Sequence, residues 1–131
     1  MSAQIRTQGL RELIASLDRA QSAAVDEVRG VVAKGALNIK TDWRRRWSGH
    51  PHIPLLPRAI SYDIRMERGT GVEAEIGPDK DRPQGPLGNL IEFGTATSAP
   101  LPGGLPALEA ETSRYERALA DLGERLAAGR G

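Results

Sequence analysis

The stretch that decides the fold is RAISYDIRMERGTGVEAEIG, residues 58–77. Ile60, Tyr62, Ile64 and Met66 alternate with Ser61, Asp63 and Arg65, the two-residue period of a half-buried strand. Val72, Ala74 and Ile76 alternate with Glu73 and Glu75 in the same way, and Arg68-Gly69-Thr70-Gly71 between them supplies a turn. Two such runs about a glycine turn predict an antiparallel β-hairpin over roughly 58–77. Everything around it reads as helix or loop.

On the N-terminal side, Leu10, Leu13, Ile14 and Leu17 follow the i, i+3, i+4, i+7 rule and predict a short helix over 8–19. After Asp18-Arg19 a second stripe runs through Val25, Val28, Val32, Ala36, Ile39, Trp43 and Trp47. Its steps of three and four keep one face in line, so 21–47 is predicted as the longest helix. Gly30 and Gly35 interrupt it, each at a cost of about 1 kcal/mol against alanine, which calls for a bend or for another backbone passing close by. Pro51, Pro54 and Pro57 predict an extended stretch before the hairpin.

On the C-terminal side, residues 77–88 (GPDKDRPQGPLG) read as a polar loop without regular structure. Leu87, Leu90, Ile91 and Phe93 suit one or two helical turns, ended by a left-handed cap at Gly94. The proline-rich loop 95–104 follows, and Pro106 sits where the first turn of a last helix tolerates proline. That helix carries Leu108, Thr112, Tyr115, Leu119, Leu122 and Leu126 as a narrow seam, with Glu109 and Glu111 toward its positive end and Arg125 toward its negative end. The order short helix, long helix, hairpin, short helix, C-terminal helix predicts an α+β domain spanning 1–131.

Composition narrows function mostly by exclusion. The 131 residues contain no cysteine, which removes disulfides, thiolate metal sites and a cysteine nucleophile. Aromatics make up 4%, so the core is aliphatic and thin, a condition that favours burial against neighbouring subunits. No apolar run approaches the roughly 20 residues of a bilayer helix, and MSAQIRTQGL carries no export-type apolar region. Residues 1–68 hold 12 Lys/Arg against 7 Asp/Glu and residues 69–131 hold 6 against 10, a polarity that suits head-to-tail contact between identical copies.

Catalytic and metal patterns are not found. Asp79 and Asp81 have calcium-loop spacing, but Gln84 and Leu90 stand where that loop needs glycine and glutamate. His50 and His52 lie in a proline-rich loop without a serine or carboxylate partner pattern. Glu92, between Ile91 and Phe93, reads as a buried structural acceptor or an intersubunit ion-pair partner. WRRRW, residues 43–47, admits two readings: Arg44, Arg45 and Arg46 as a DNA-facing basic patch, or Trp43 and Trp47 on the buried stripe with the arginines wet and cheap to replace. Neither an enzyme nor a cofactor emerges.

The segment LIEFGTATSAP–LP–LPALE, residues 90–109, resembles the signature of the head–tail joining (neck, or tail-completion) family of long-tailed phages. Ile91, Glu92, Phe93, Gly94, Thr95, Pro100, Pro102, Pro106, Ala107 and Leu108 occupy its places, and Pro57-Arg58-Ala59-Ile60-Ser61 matches its lead into the first strand. Two features depart: Gly103-Gly104 stand where the family usually has an aromatic, and HPHIPLLP replaces its Pro-x-x-Thr-Gly. The resemblance implies a non-catalytic virion component, a ring of identical subunits, hexameric by expectation, between the portal connector or stopper and the tail terminator or tail tube. Genomic DNA would pass through its lumen. The loops 78–88 and 95–104 would be contact loops, with Leu101 and Leu105 as apolar anchors and Glu92 and Thr95 fixing the base of the second. That second loop would be mobile in the free subunit. The rivals are a tail-terminator ring and, from another class, a small nucleic-acid-binding regulator.

Overall fold

The computed structural model describes residues 3–66 and 71–129, except for the side chains of residues 3–10 and 13. The fold is mixed α+β. Helix α1 spans Ala3–Arg46, a short α2 spans Leu56–Ala59, strands β1 (Ile60–Met66) and β2 (Val72–Pro78) follow, then α3 (Gly88–Phe93) and α4 (Gly104–Ala127). A single 3₁₀ turn, Gly85–Leu87, precedes α3, so the 78–88 segment has some regular structure after all.

The two predicted N-terminal helices are one helix of 44 residues, about 66 Å long at 1.5 Å per residue. Nothing between Asp18 and Val25 breaks a helix, because Arg, Ala, Gln and Ser all fit its interior. Only the hydrophobic stripe changes phase there. The predicted stripe does form the buried face: Val32, Ala36, Ile39, Trp43 and Trp47 are buried. The predicted Leu10–Leu13 half of the first stripe lies outside the described side chains. At Gly35 a side chain, not a backbone, approaches, since a Cβ there would lie 3.0 Å from Tyr115 Cδ1.

The predicted extended stretch before the hairpin instead folds into turns and one helical turn, α2. Pro57 sits in its first turn, where the absent N–H costs nothing. Leu56 and Ala59 of that turn are fully buried. The hairpin pairs antiparallel in the register Tyr62↔Ile76 and Ile64↔Ala74. Its turn, Arg68 to Thr70, lies outside the described residues. Burial fades along β1 from Ile60 to the exposed Met66, because the strand runs past the body.

Hairpin and α4 both lie along α1. Helix α4 runs antiparallel to it, as Trp43 beside Gly104, Asn38 against Glu111 and Gly35 beside Tyr115 show. The core gathers Ile39, Trp43, Trp47, Ile53, Leu56, Ala59, Ile60 and Ala107 at the C-terminal end of α1. The predicted seam of α4 is rotated at its start. Ala107, Glu111 and Leu122 are buried, whereas Leu108 and Thr112 are exposed. A buried carboxylate explains the rotation. Asn38 Nδ2 donates to Glu111 Oε2 at 2.8 Å, and Arg114 donates to both oxygens.

Burial opposes ionisation of Glu111, but the hydrogen bonds from Arg114 and Asn38 outweigh it and hold the carboxyl below its usual range. A carboxylate whose folded pKa is depressed stabilises the fold above its unfolded value, and that stabilisation is lost as pH falls through the folded one. Thermal melts should therefore lose stability below about pH 4.5. Glu111→Gln should lower the neutral-pH melting temperature and flatten this acid limb. Asp42 supplies the remaining slope: burial opposes its ionisation too, and Arg45 and Arg46 overcome it.

Candidate functional site: a carboxylate clasp, a proline-rich loop and an apolar groove

Helix α4 starts with Gly-Leu-Pro and has no acidic side chain in its first turn and no side-chain cap of its own. Glu109 and Glu111 lie too far along it to serve the exposed N–H groups. The acceptor comes from α3 instead. Glu92 Oε2 accepts from Gly103 N at 2.9 Å, and Oε1 accepts from Gly104 N at 3.0 Å. A carboxylate on the first free donors of a helix is favoured both by hydrogen bonding and by the helix dipole. Glu92 thus clasps α3 to α4 across the intervening loop.

The loop is tied down at several further points. Gly94 N donates to Leu90 O at 2.9 Å and closes α3. Its φ of 77° is positive as predicted, but ψ is 178°, so the chain leaves extended and not through a left-handed cap. Only glycine fits: a Cβ there would lie 2.8 Å from Ser98 O. Thr95 Oγ1 accepts from Ser98 N at 3.0 Å and Thr95 N donates to Ser98 O at 2.9 Å, which makes 95–98 a small closed turn. Leu101 uses both backbone groups, its N–H on Ile91 O at 2.8 Å and its carbonyl accepting from Trp47 Nε1 at 3.0 Å.

Gly103-Gly104, where the resembling family has an aromatic, owe their place to Trp43 in α1 and Trp47 just after it. A Cβ on Gly103 would lie 2.6 Å from Trp43 Cδ1, and one on Gly104 2.6 Å from Trp43 Cη2. The indoles meet edge to face with centroids 5.5 Å apart and press flat backbone against α1. The aromatic bulk here is supplied from α1 instead of from the loop. This corrects the expectation of a wholly mobile loop: residues 101–104 are held by the core, and only 95–100 stand clear of it.

Around this clasp the predicted anchors are largely wet. Phe93 is 76% exposed and Leu105 60%, with Leu90, Leu101 and Leu108 also exposed. Of the α3 apolar residues Ile91 alone packs against the core. Phe93, Leu105 and Leu108 border an open groove of about 590 Å³ floored by Ile39, Trp43 and Ile76. Ala107 is fully buried and Pro106 precedes it in the first turn of α4, while Pro102 is exposed near the end of the loop.

The arginines of WRRRW are engaged within the chain. Arg44 Nε and Nη2 donate to Ile60 O at 3.0 and 2.6 Å, tying the end of α1 to the start of β1. Arg45 and Arg46 both pair with Asp42. Arg44→Gln should therefore cost about 1–2 kcal/mol, while Arg45→Gln and Arg46→Gln should each stay within about 0.5 kcal/mol in urea titrations. The expectation that all three arginines are cheap to replace is revised for Arg44 on this ground.

His50 and His52 lie with ring centroids 6.2 Å apart and planes tilted by 59° in the turn after α1. Among the described residues, no group of three or more His, Asp or Glu side chains could hold a metal ion. No helix among them is long and apolar enough to cross a membrane. The residues that sequence reasoning missed are Asn38 and Glu111. Their one signal was a carboxylate inside an otherwise apolar helix line. Compared with known proteins, the chain matches no family model, no curated protein and no solved structure.

Proposed function

We propose that this chain is a non-catalytic structural subunit of a phage neck, which assembles as a ring and joins the head connector to the tail. The observation that carries the reading is the Glu92 clasp. Residues 90–109, the segment that resembles the head–tail joining signature, form one device: Glu92 fixes the start of α4, Gly94 turns the chain outward, and the 95–100 loop projects between two fixed ends. Phe93, Leu101 and Leu105 stand exposed beside it. A short loop held at both ends, with Pro100 stiffening its exit, loses little entropy when it docks. Exposed apolar side chains next to it supply area to bury against a neighbouring connector, stopper or tail-terminator ring.

Arg44 is occupied on the Ile60 carbonyl and Arg45 and Arg46 share the one Asp42 carboxylate, so these side chains have structural partners within the chain, which favours a ring subunit over a nucleic-acid-binding regulator. Genomic DNA would pass such a ring without specific contacts. The reading is tested with purified heads and tails from a particle lacking the protein. Added wild-type protein should restore joined, infectious particles, and a Pro100→Gly/Pro102→Gly variant should fold normally yet join poorly. Full joining by that variant would reduce the loop to a connector. No joining by the wild type would remove the neck assignment.

A further inference from the structure

The longest element of the fold is only half covered. Helix α4 has 24 residues against the 44 of α1. Their antiparallel register, Asn38 with Glu111 and Gly35 with Tyr115, brings Ala127 level with about residue 23 of α1. Burial agrees. From Arg11 to Ala23 every described side chain is exposed, and Ala24 is the first partly buried one. Ile14 and Leu17 lie on this overhang, with Leu17 59% exposed. The overhang, residues 3–23, is a projecting helix of about 30 Å. Most helical stability in proteins comes from packing of an apolar face, and the overhang's Ile14 and Leu17 have nothing to pack against among the described residues.

The same chain has an uncovered apolar groove. Among the described residues the sheet has two strands, so β2 has a free edge there, and this edge faces α4 across the surface of α1. Val72, Ala74, Ile76, Ile39, Leu108 and Tyr115 line a trough of about 380 Å³. It runs into the larger groove beside Phe93 through the shared residues Ile39, Ile76 and Leu108. A trough with apolar floor and parallel walls is the shape that accepts a helix presenting side chains one turn apart.

We propose that the α1 overhang of one copy seats in the β2–α4 groove of the next copy, with Ile14 and Leu17 as its anchors. Three observations select a second copy as the occupant. The groove lies on residues 32–39 of the same unbroken helix that carries the overhang, so a chain cannot reach its own groove. The signs are opposite: residues 3–23 carry three arginines against two acids, while 72–78 and 104–116, the two walls, carry five glutamates against one arginine. Arg11 and Arg19 on the overhang thereby meet a rim that includes Glu73 and Glu116. Finally, a convex helix and a concave trough on different parts of one chain make a head-to-tail contact, the type that closes rings. The inference rests on the ring reading above for closure and adds the contact that makes the ring.

The chain has no cysteine, so single introduced cysteines report unambiguously. Leu17→Cys and Thr112→Cys place one thiol on the overhang and one at the groove wall, both at exposed positions. The two variants are mixed in equal amounts, allowed to assemble and oxidised, and the products are read by mass spectrometry. Mixed Leu17→Cys/Thr112→Cys dimers should dominate, with like pairs near background. Leu17→Asp in the full chain should lose the assembly while keeping the helical content and melting temperature of the monomer. Assembly with only like cross-links, or with none, overturns this contact and leaves the ring reading standing. Absence of any assembly, with the wild type a fully stable monomer, overturns both. An unchanged assembly of Leu17→Asp also overturns the contact.

Discussion

Trp47→Ala should cost about 3–5 kcal/mol, a large share of the stability of a chain this size. The side chain is 1% exposed, sits at the centre of the core cluster, and its Nε1 holds the Leu101 carbonyl. Losing it empties a large volume and leaves that carbonyl without its donor, so both core and loop loosen. Trp43→Ala should cost a similar amount through volume alone. The two phenylalanine variants separate packing from hydrogen bonding. Trp43 Nε1 has no acceptor among the described residues, whereas Trp47 Nε1 does. Trp47→Phe should therefore destabilise by about 1 kcal/mol more than Trp43→Phe in urea unfolding. Equal costs would mean that the Trp47–Leu101 bond contributes nothing.

Glu92→Ala should cost about 2–3 kcal/mol, because the first donors of α4 lose a charged acceptor in a partly buried place. Glu92→Gln keeps the shape and one acceptor oxygen and should cost about half as much. Hydrogen exchange should show the difference locally. The amides of Gly103 and Gly104 should exchange much faster in Glu92→Ala, while those in the middle of α1 keep their protection relative to global stability. Unchanged exchange at Gly103 and Gly104 would mean that the clasp is not what holds the start of α4. If the loop is a docking device, joining activity should fall further in this variant than its stability loss explains.

The stripe from Val25 to Trp47 and the alternation in 60–76 were legible because burial there follows a constant period. The overhang was misread as a separate helix because a change in apolar phase at Asp18-Arg19 looks like a break when no partner is visible. The start of the α4 seam was misplaced by one residue for a different reason, while Leu122 is buried as its place in the seam predicted. Hydropathy puts a glutamate outside, but Asn38 and Arg114 satisfy both oxygens of Glu111 and so allow it to be buried. Pro57 signalled an extended chain and in fact starts a helical turn, a position where proline is equally at home. The Glu92 clasp was legible only as a carboxylate in apolar company. Its target, two glycine amides more than ten residues away, depends on how α3 and α4 meet. The match of Gly103-Gly104 to Trp43 and Trp47 lies across some sixty residues of chain and leaves no local trace.

Copies of this chain are expected to close into a ring. Electron cryo-microscopy of the purified protein, at micromolar concentration and low salt, tests this most directly, with native mass spectrometry giving the subunit count. Closed rings of about six subunits, joined head to tail, are expected, with an open lumen and with Phe93, Leu101 and Leu105 on an outer docking face. A monomer at every concentration, or two-fold dimers that use one patch twice, would contradict ring closure.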